Sequence, residues 1–596
     1  MKKKIIGFLT VATAVTLLAA CGGGGSKTSS SDTKDGGADK VETAKFPKTQ
    51  NTKAKALEGE TLNVALPFDD QIQGVWSYAL YEDAYDGTLL EIADDSLFLT
   101  DNEFKYTNGG LADVEFDREK NTATVTLRKD LKWSDGEALT ADDVVFAYEV
   151  VAHKDYTGVR YDEKLQNIVG IEDYHAGKAD TISGIKKVDD TTVEITYKEL
   201  NPAIQYGSGL LSYAMPKHYL SDVPVKKLQE SDKIRKNPVT TGPFYISNVK
   251  VGESVEYTKN PYYYGNKPQV DKIVATVVPT TTVVDELKNK KYDIALDMPT
   301  DTYDSYADID GYTNLGREEL YYSYIGFKLG KFDAAKGENV MDPNAKMGNV
   351  KVRQAMAYAV DSEQLGEKVY SGLRVFANSV IVPASGDVYD ADLEGYKFDE
   401  AKAKSLLEEA GYKDTNDDGF VEDPDGKEFV VNFAAMAGGE SSQTVADFMK
   451  QSWENIGIKV EYTTGRLIDF NSFYDKILGD TDDVDVYAAA WGVGTDPNPS
   501  ESFGRKAQYN MMRYNSEKMD EVLGRIASAD AFDEAKNKAA YKDFQALVKE
   551  EVPAFPLNYN YRIILVNDRV SYFDYDYHAD TTNRWADVAV SEKDRK

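Results

Sequence analysis

Cys21 is the only cysteine among 596 residues, so no internal disulfide can staple this chain, and its fold must rest on buried apolar area. Hydrophobic residues make up 42% of the sequence, enough for substantial cores, and the length calls for two or three domains. Thr61–Leu66, Thr124–Arg128 and Val193–Tyr197 alternate with the period of a strand. Thr140 and Asp143 have capping-box spacing and predict a helix through His153, with Val144, Val145, Ala147 and Tyr148 on its buried face. Val352, Ala355, Met356, Ala359 and Val360 mark a second amphipathic helix. Ala401–Ala410 is a third, capped by Asp399 and closed by Gly411. Strands and helices intermixed without a repeat predict an α/β or α+β chain.

The position of the thiol points to export. Lys2, Lys3 and Lys4 precede a mostly apolar run from Ile5 to Leu18, and Ala19 and Ala20 then lead to Cys21. A basic end, a short apolar stretch and small residues form a secretory signal peptide over residues 1–20, too short for a stable membrane span. Leu18-Ala19-Ala20-Cys21 also resembles the bacterial lipobox, in which the cysteine is diacylated and becomes the first residue of the mature chain. Such a lipid holds a protein at the outer membrane face, each buried CH₂ contributing about 0.8 kcal/mol. The other reading is an ordinary export signal ending beside a cysteine. Residues 21–58 are rich in Gly, Ser, Thr, Lys and Asp with almost no large apolar side chains. They read as a flexible tether reaching about 30–35 Å. No later apolar run has membrane-spanning length, so the lipid is the only membrane contact expected. A net charge of −32 argues against a nucleic-acid partner, whose phosphates need basic side chains. The 40 tyrosines suit a surface that grips varied ligands, and equally a β-rich extracellular body.

The sequence offers no catalytic signature. It has no G-x-S-x-G elbow, H-E-x-x-H pair or complete P-loop: Gly311–Arg317 lacks the Lys-Ser/Thr, and Gly492-Val493-Gly494 lacks a third glycine. His153, His175, His218 and His578 are scattered without metal-ligand spacing. Paired carboxylates for glycoside hydrolysis are a spatial arrangement and stay open at this stage. One loop follows the EF-hand order: Asp414, Asn416 and Asp418 at positions 1, 3 and 5, Gly419 at the turn, the Phe420 carbonyl at 7 and Asp425 at 12. It reads either as a site for a structural calcium ion or as an acidic hairpin, since Asp425 replaces the usual Glu and Pro424 blocks an exiting helix. No other cofactor is expected.

Several stretches together resemble family 5 of the extracellular solute-binding proteins, the peptide and nickel receptors of ABC importers. Leu127-Arg128-Lys129-Asp130-Leu131-Lys132-Trp133-Ser134-Asp135-Gly136-Glu137-Ala138-Leu139-Thr140-Ala141-Asp142-Asp143-Val144 is the fullest match. Thr241-Gly242-Pro243-Phe244, Lys259-Asn260-Pro261-Tyr262-Tyr263 and Val352-Arg353-Gln354-Ala355-Met356-Ala357-Tyr358-Ala359-Val360-Asp361 follow in the family's order. Leu406-Leu407-Glu408-Glu409-Ala410-Gly411-Tyr412 and Asn455-Ile456-Gly457-Ile458-Lys459-Val460 complete the series. His175-Ala176-Gly177-Lys178 and the segment Gly184–Glu194 are similar to the oligopeptide branch, in particular its lipoproteins from Gram-positive bacteria such as lactococci and streptococci. The resemblance implies an α/β, periplasmic-binding-protein-like fold of the cluster C type, two lobes on a hinge with an additional small domain. Lobe I would take 59–96, 213–320 and 551–596, the small domain 97–212 and lobe II 321–550, with crossings near 320 and 550 as the hinge.

The function implied is that of a monomeric, lipid-anchored receptor on the extracellular face of the membrane. It would capture oligopeptides and hand them to the permease and ATPase subunits of an ABC importer. A receptor for many peptides must grip what all peptides share, the main-chain N–H and C=O groups and the terminal ammonium. Trp491-Gly492-Val493-Gly494-Thr495-Asp496-Pro497 resembles the segment where the family places a tryptophan and a peptide-binding aspartate. Asp496 is therefore the candidate ammonium partner and Trp491 a pocket wall. Their bland readings are a turn residue before Pro497 and a core tryptophan. Phe470 and Tyr559 resemble pocket aromatics of the family or, as aromatics in a helix or strand, belong to the core, and Asp86 faces the cleft or merely turns the chain before Gly87. The alternatives are the same scaffold carrying a signalling peptide or an oligosaccharide, or an anchored hydrolase.

Overall fold

The computed structural model describes residues 43, 46–69, 71–162, 164–439, 441–577 and 583–596. The signal segment, Cys21, nearly all of the proposed tether before residue 43, and His578 lie outside them. Among the described residues no helix is long and apolar enough to cross a membrane.

A large mixed sheet organises the body. Its order is Lys459–Tyr462, Val430–Ala434, Val486–Gly492, Tyr312–Phe327, Ala554–Asn567, Ile294–Met298, Thr61–Pro67, Lys272–Val278, Ser254–Lys259 and Phe244–Lys250, with Arg374–Phe376 added beside Ala554–Asn567. Thr61–Pro67 runs parallel to both Lys272–Val278 and Ile294–Met298, which are joined through the helix Thr280–Lys288. At the other end Val430–Ala434, Lys459–Tyr462 and Val486–Gly492 are parallel and joined through the helices Ser442–Asn455 and Phe470–Leu478. Parallel neighbours need such crossovers, so the α/β expectation holds at both ends of the sheet.

The two central strands are 16 and 14 residues long and serve two different cores. Leu315, Ile564 and Val566 pack with Leu62, Val64 and Ile294. Tyr322, Ile325, Phe327, Phe555 and Leu557 pack instead with Met356, Phe433, Trp453 and Tyr487. Between these halves the antiparallel ladder breaks: Glu318 faces Tyr561 and Tyr322 faces Tyr559, so one strand advances four residues while its partner advances two. Unequal counts of this kind bend a strand pair and interrupt its hydrogen bonds. The chain thus passes between two packed bodies on adjacent strands at a local weakness in the ladder.

A third core lies under the antiparallel sheet Ala112–Asp117, Thr122–Leu127, Thr192–Thr196 and Ile185–Lys187. Its helix spans Ala141–Val151 and begins with the predicted box, the Thr140 amide donating to Asp143 Oδ2 at 2.8 Å. Trp133 is 1% exposed in this core, and Gly136 turns the chain at φ 94° so that its amide returns to the Trp133 carbonyl at 2.9 Å. The Trp133–Gly136 stretch is therefore a packed turn.

Candidate binding cleft

Where the strand Val486–Gly492 leaves the sheet, its buried residues give way to Val493-Gly494-Thr495-Asp496-Pro497-Asn498, a run that parts from the ladder after the Val493 amide donates to the Leu320 carbonyl at 3.0 Å. This run forms one wall of a cleft of about 430 Å³. The facing wall is built from Val159, Arg160, Asp162, Lys164 and Leu165 and from 206–213, segments of the body that holds the antiparallel sheet. The floor includes Tyr322, which pairs with Trp491 in the ladder beside the register break.

Asp496 does two things at once. Its Oδ1 accepts the Asn498 amide at 3.0 Å, which is the turn role expected of an aspartate before proline. Asn498 in turn accepts from Ser500 and opens the short helix Ser500–Phe503. The other oxygen, Oδ2, is buried and has no hydrogen-bond partner among the described residues. Lys164 Nζ stands 3.9 Å from it and 2.9 Å from Glu501 Oε1. Burial pushes the Asp496 carboxyl up to about 6, with Lys164 acting against the shift. Burial also works to lower Lys164, but Asp496 and Glu501 outweigh it and hold its ammonium above the ordinary value. A buried carboxylate oxygen without a partner is costly unless a ligand donor meets it. Trp491 lines the same cleft, half-buried, with its ring 5.7 Å from that of exposed Tyr509.

The other candidates sit elsewhere. Phe470 begins the helix Phe470–Leu478, is 63% exposed, meets Tyr474 edge-on at 4.9 Å and does not line the cleft. Tyr559 is a core residue: its hydroxyl accepts the Ser379 amide at 3.1 Å and donates to the Ser379 carbonyl at 2.8 Å, pinning that loop to the central strand. Asp86 is 0% exposed, and its two oxygens accept the Gly74 and Val75 amides, each at 2.8 Å. Both lone-pair faces are thus committed to the loop before Trp76. Asp86→Ala strands two buried amides and is expected to cost about 2–4 kcal/mol of stability while leaving ligand affinity unchanged. Chemical denaturation beside a binding titration checks both halves of that expectation.

The 414–425 loop, which the sequence leaves open between a calcium site and an acidic hairpin, takes the following form. Asp414 accepts the Asp417 and Gly419 amides at 2.7 and 2.9 Å, Asn416 and Asp418 accept the amides two residues on, and Asn416 Nδ2 donates to buried Glu422 at 2.7 Å. The loop is a hairpin closed by bridges from Lys413 to Glu422 and from Glu422 to Glu428. Asp414, Asn416, Asp418, Phe420 and Asp425 do not gather into a metal cage: among the described residues no group of three or more His, Cys, Asp or Glu is arranged to hold a metal ion.

Sequence reasoning missed Lys164, Glu501 and Tyr206. Glu501 lies five residues beyond Asp496 on the same polar run and was legible as a neighbour. Lys164 comes from the opposite wall and carries no local pattern. Tyr206 lines the cleft and also a second cavity of about 230 Å³ with Glu103, Lys105, Asp387 and Lys538.

Residues 107–510 match the model of the bacterial extracellular solute-binding proteins, family 5. The chain is 37% identical to the oligopeptide-binding protein OppA of Lactococcus lactis subsp. lactis over 592 residues, covering 98% of this chain and 97% of that protein. Lactococcal OppA solved with an endogenous peptide in the closed conformation superposes with a TM-score of 0.78 at 36% identity, covering 89% of this chain and all of that one. The oligopeptide-binding protein AppA of Bacillus subtilis, solved with a nonapeptide, shares the fold with a TM-score of 0.68 at 24% identity, over 90% of this chain and all of that one.

Proposed function

Since this chain belongs to the bacterial extracellular solute-binding proteins of family 5, we propose that it is the oligopeptide receptor of an ABC importer and holds its ligand's terminal ammonium on Asp496. Proteins of this family bind solutes and are not enzymes. The observation that carries the reading is the buried, unpartnered Oδ2 of Asp496, a residue of the cleft lining. The charge on the lining agrees with it. Asp162, Asp496 and Glu501 oppose Arg160 and Lys164, so three carboxylates meet two cations and one further cation balances the cleft.

Affinity without sequence choice comes from the backbone. Gly207, Gly209, Gly492 and Gly494 all line the cleft, and a residue without a side chain lets a ligand main chain approach closely. A peptide anchored at Asp496 has room to extend past Tyr206 toward the second cavity, where water completes hydrogen bonds to varied side chains. Closure is a rotation of lobe II (321–550) against lobe I (59–96, 213–320 and 551–596) and its small domain (97–212). The register break between Glu318 and Tyr322 absorbs that rotation. Acylation of Cys21 keeps the receptor at the extracellular face of the membrane, within reach of the permease and ATPase subunits.

Titration of a matched peptide pair, one with a free and one with an acetylated amino terminus, tests the ammonium site. The free peptide is expected to bind more tightly at neutral pH. Its advantage should fade as pH falls through about 6, where the Asp496 carboxyl takes up a proton in the ligand-free protein. The amino terminus, ordinarily titrating near about 8, stays charged throughout that window. Only ionised Asp496 pairs with it, so affinity for the free peptide drops by up to about tenfold per pH unit below that point. The acetylated peptide lacks this dependence. Superimposable pH profiles for the two peptides would contradict the assignment.

A further inference from the structure

Lys164 lies on the wall opposite Asp496 and Glu501, and its ammonium bridges the cleft between them. Its place in the site is unusual. At 2.9 Å it is bonded to Glu501, whereas at 3.9 Å it is outside hydrogen-bonding distance of Asp496 Oδ2, which has no hydrogen-bond partner among the described residues. The lysine stem is flexible, and its side chain keeps 36% exposure. A small rotation therefore moves the same ammonium from one carboxylate to the other. The remaining charges of the cleft are committed elsewhere. The Arg160 guanidinium lies over the Tyr81 ring at 4.5 Å, and Asp162 accepts the Leu165 amide at 2.9 Å.

Building on the assignment of Asp496 as ammonium partner, we infer that Lys164 is an internal rival of the ligand's amino terminus and sets how strictly this receptor demands a free one. With Lys164 drawn to Glu501, Asp496 Oδ2 receives a ligand ammonium. That ammonium sits close to a second positive charge, and the repulsion reduces its gain. With a blocked amino terminus in the cleft, Lys164 turns to Asp496 and supplies the missing cation. The buried carboxylate is then never left unpaired, and the penalty for a blocked terminus is capped. Peptides whose amino terminus is acylated or cyclised thus become acceptable cargo for a site that otherwise selects against them.

The test is the ratio of dissociation constants for an acetylated and a free peptide of one sequence, measured by calorimetry at neutral pH. It is read in the wild type and in the Lys164→Met, Lys164→Arg and Asp496→Asn variants. Lys164→Met is expected to raise the ratio about tenfold, because the free ammonium loses its competitor and the blocked peptide loses its substitute. Lys164→Arg keeps a cation and should stay near the wild-type ratio, which a purely structural role for the stem would not require. Asp496→Asn should bring the ratio close to one. An unchanged or lower ratio in Lys164→Met, with Asp496→Asn still collapsing it, overturns the role of Lys164 and leaves the ammonium site standing. A ratio unaffected by Asp496→Asn overturns both.

Discussion

Asp496→Ala is expected to lose about 2–5 kcal/mol of peptide binding, roughly thirtyfold to several thousandfold in the dissociation constant. The size follows from burial. A ligand ammonium taken from water into this cleft recovers its lost hydration only through a fixed anion, and Asp496 Oδ2 is a buried carboxylate oxygen with no hydrogen-bond partner among the described residues. Alanine also removes the Oδ1 acceptor that the Asn498 amide uses, so Asp496→Asn is the cleaner change. The asparagine keeps the shape and the turn and removes only the charge. Its loss should fall mainly on peptides with a free amino terminus, and calorimetry reads it directly. Wild-type affinity in Asp496→Asn would end the assignment.

Arg353→Met is expected to destabilise the protein by about 3–5 kcal/mol. Arg353 is 2% exposed and has no carboxylate partner among the described residues. Its guanidinium donates instead to four carbonyls: Val552 at 2.9 Å, Met347 at 2.7 Å, Gly348 at 3.0 Å and Glu551 at 2.6 Å. Two of these close the helix Glu534–Glu551, whose cap Val552 sits at φ 46° just before the central strand Ala554–Asn567. The other two lie in the loop that opens the helix Val350–Tyr358. A cation at a helix C-terminus is favourable, and here it also ties the end of a long helix to the start of a short one. Burial brings the guanidinium down to about 10, with Glu551 opposing, so it remains charged at neutral pH. Methionine fills the volume but leaves four inward-facing carbonyls without their donor. Urea denaturation measures the loss, and a change below about 1 kcal/mol would contradict the structural role of Arg353.

What the sequence disclosed and what it hid divide by range. Thr140 with Asp143 and Asp399 before its helix depend on neighbours a few residues away, and both appear in the structure as read; the strand at Thr61–Pro67 is present too, but its alternation stops at Val64, since Ala65, Leu66 and Pro67 are also buried. Asp496 was legible because its turn is local, through Asn498. The partners of Asp86 and Tyr559 are distant in sequence, so nothing beside either residue discloses them. The amides that fill Asp86 lie 11 and 12 residues earlier, and the loop that engages Tyr559 is about 180 residues away. Lys164 comes from a different body of the chain, and nothing around it in Tyr161–Leu165 marks a charge that will cross a cleft. In the 414–425 loop the same Asp/Asn/Gly spacing serves either metal ligation or amide capping. Only the spatial arrangement separates the two, through Glu422 bonding back to Thr415 and Asn416.

Native mass spectrometry of the receptor, purified from its own cells without added ligand, bears on whether the cleft grips features common to every short polypeptide. The expected spectrum is a ladder of protein–ligand masses, with the released ligands sequencing as peptides of many unrelated compositions. A single adduct whose mass is that of one sugar or one metal complex would contradict it.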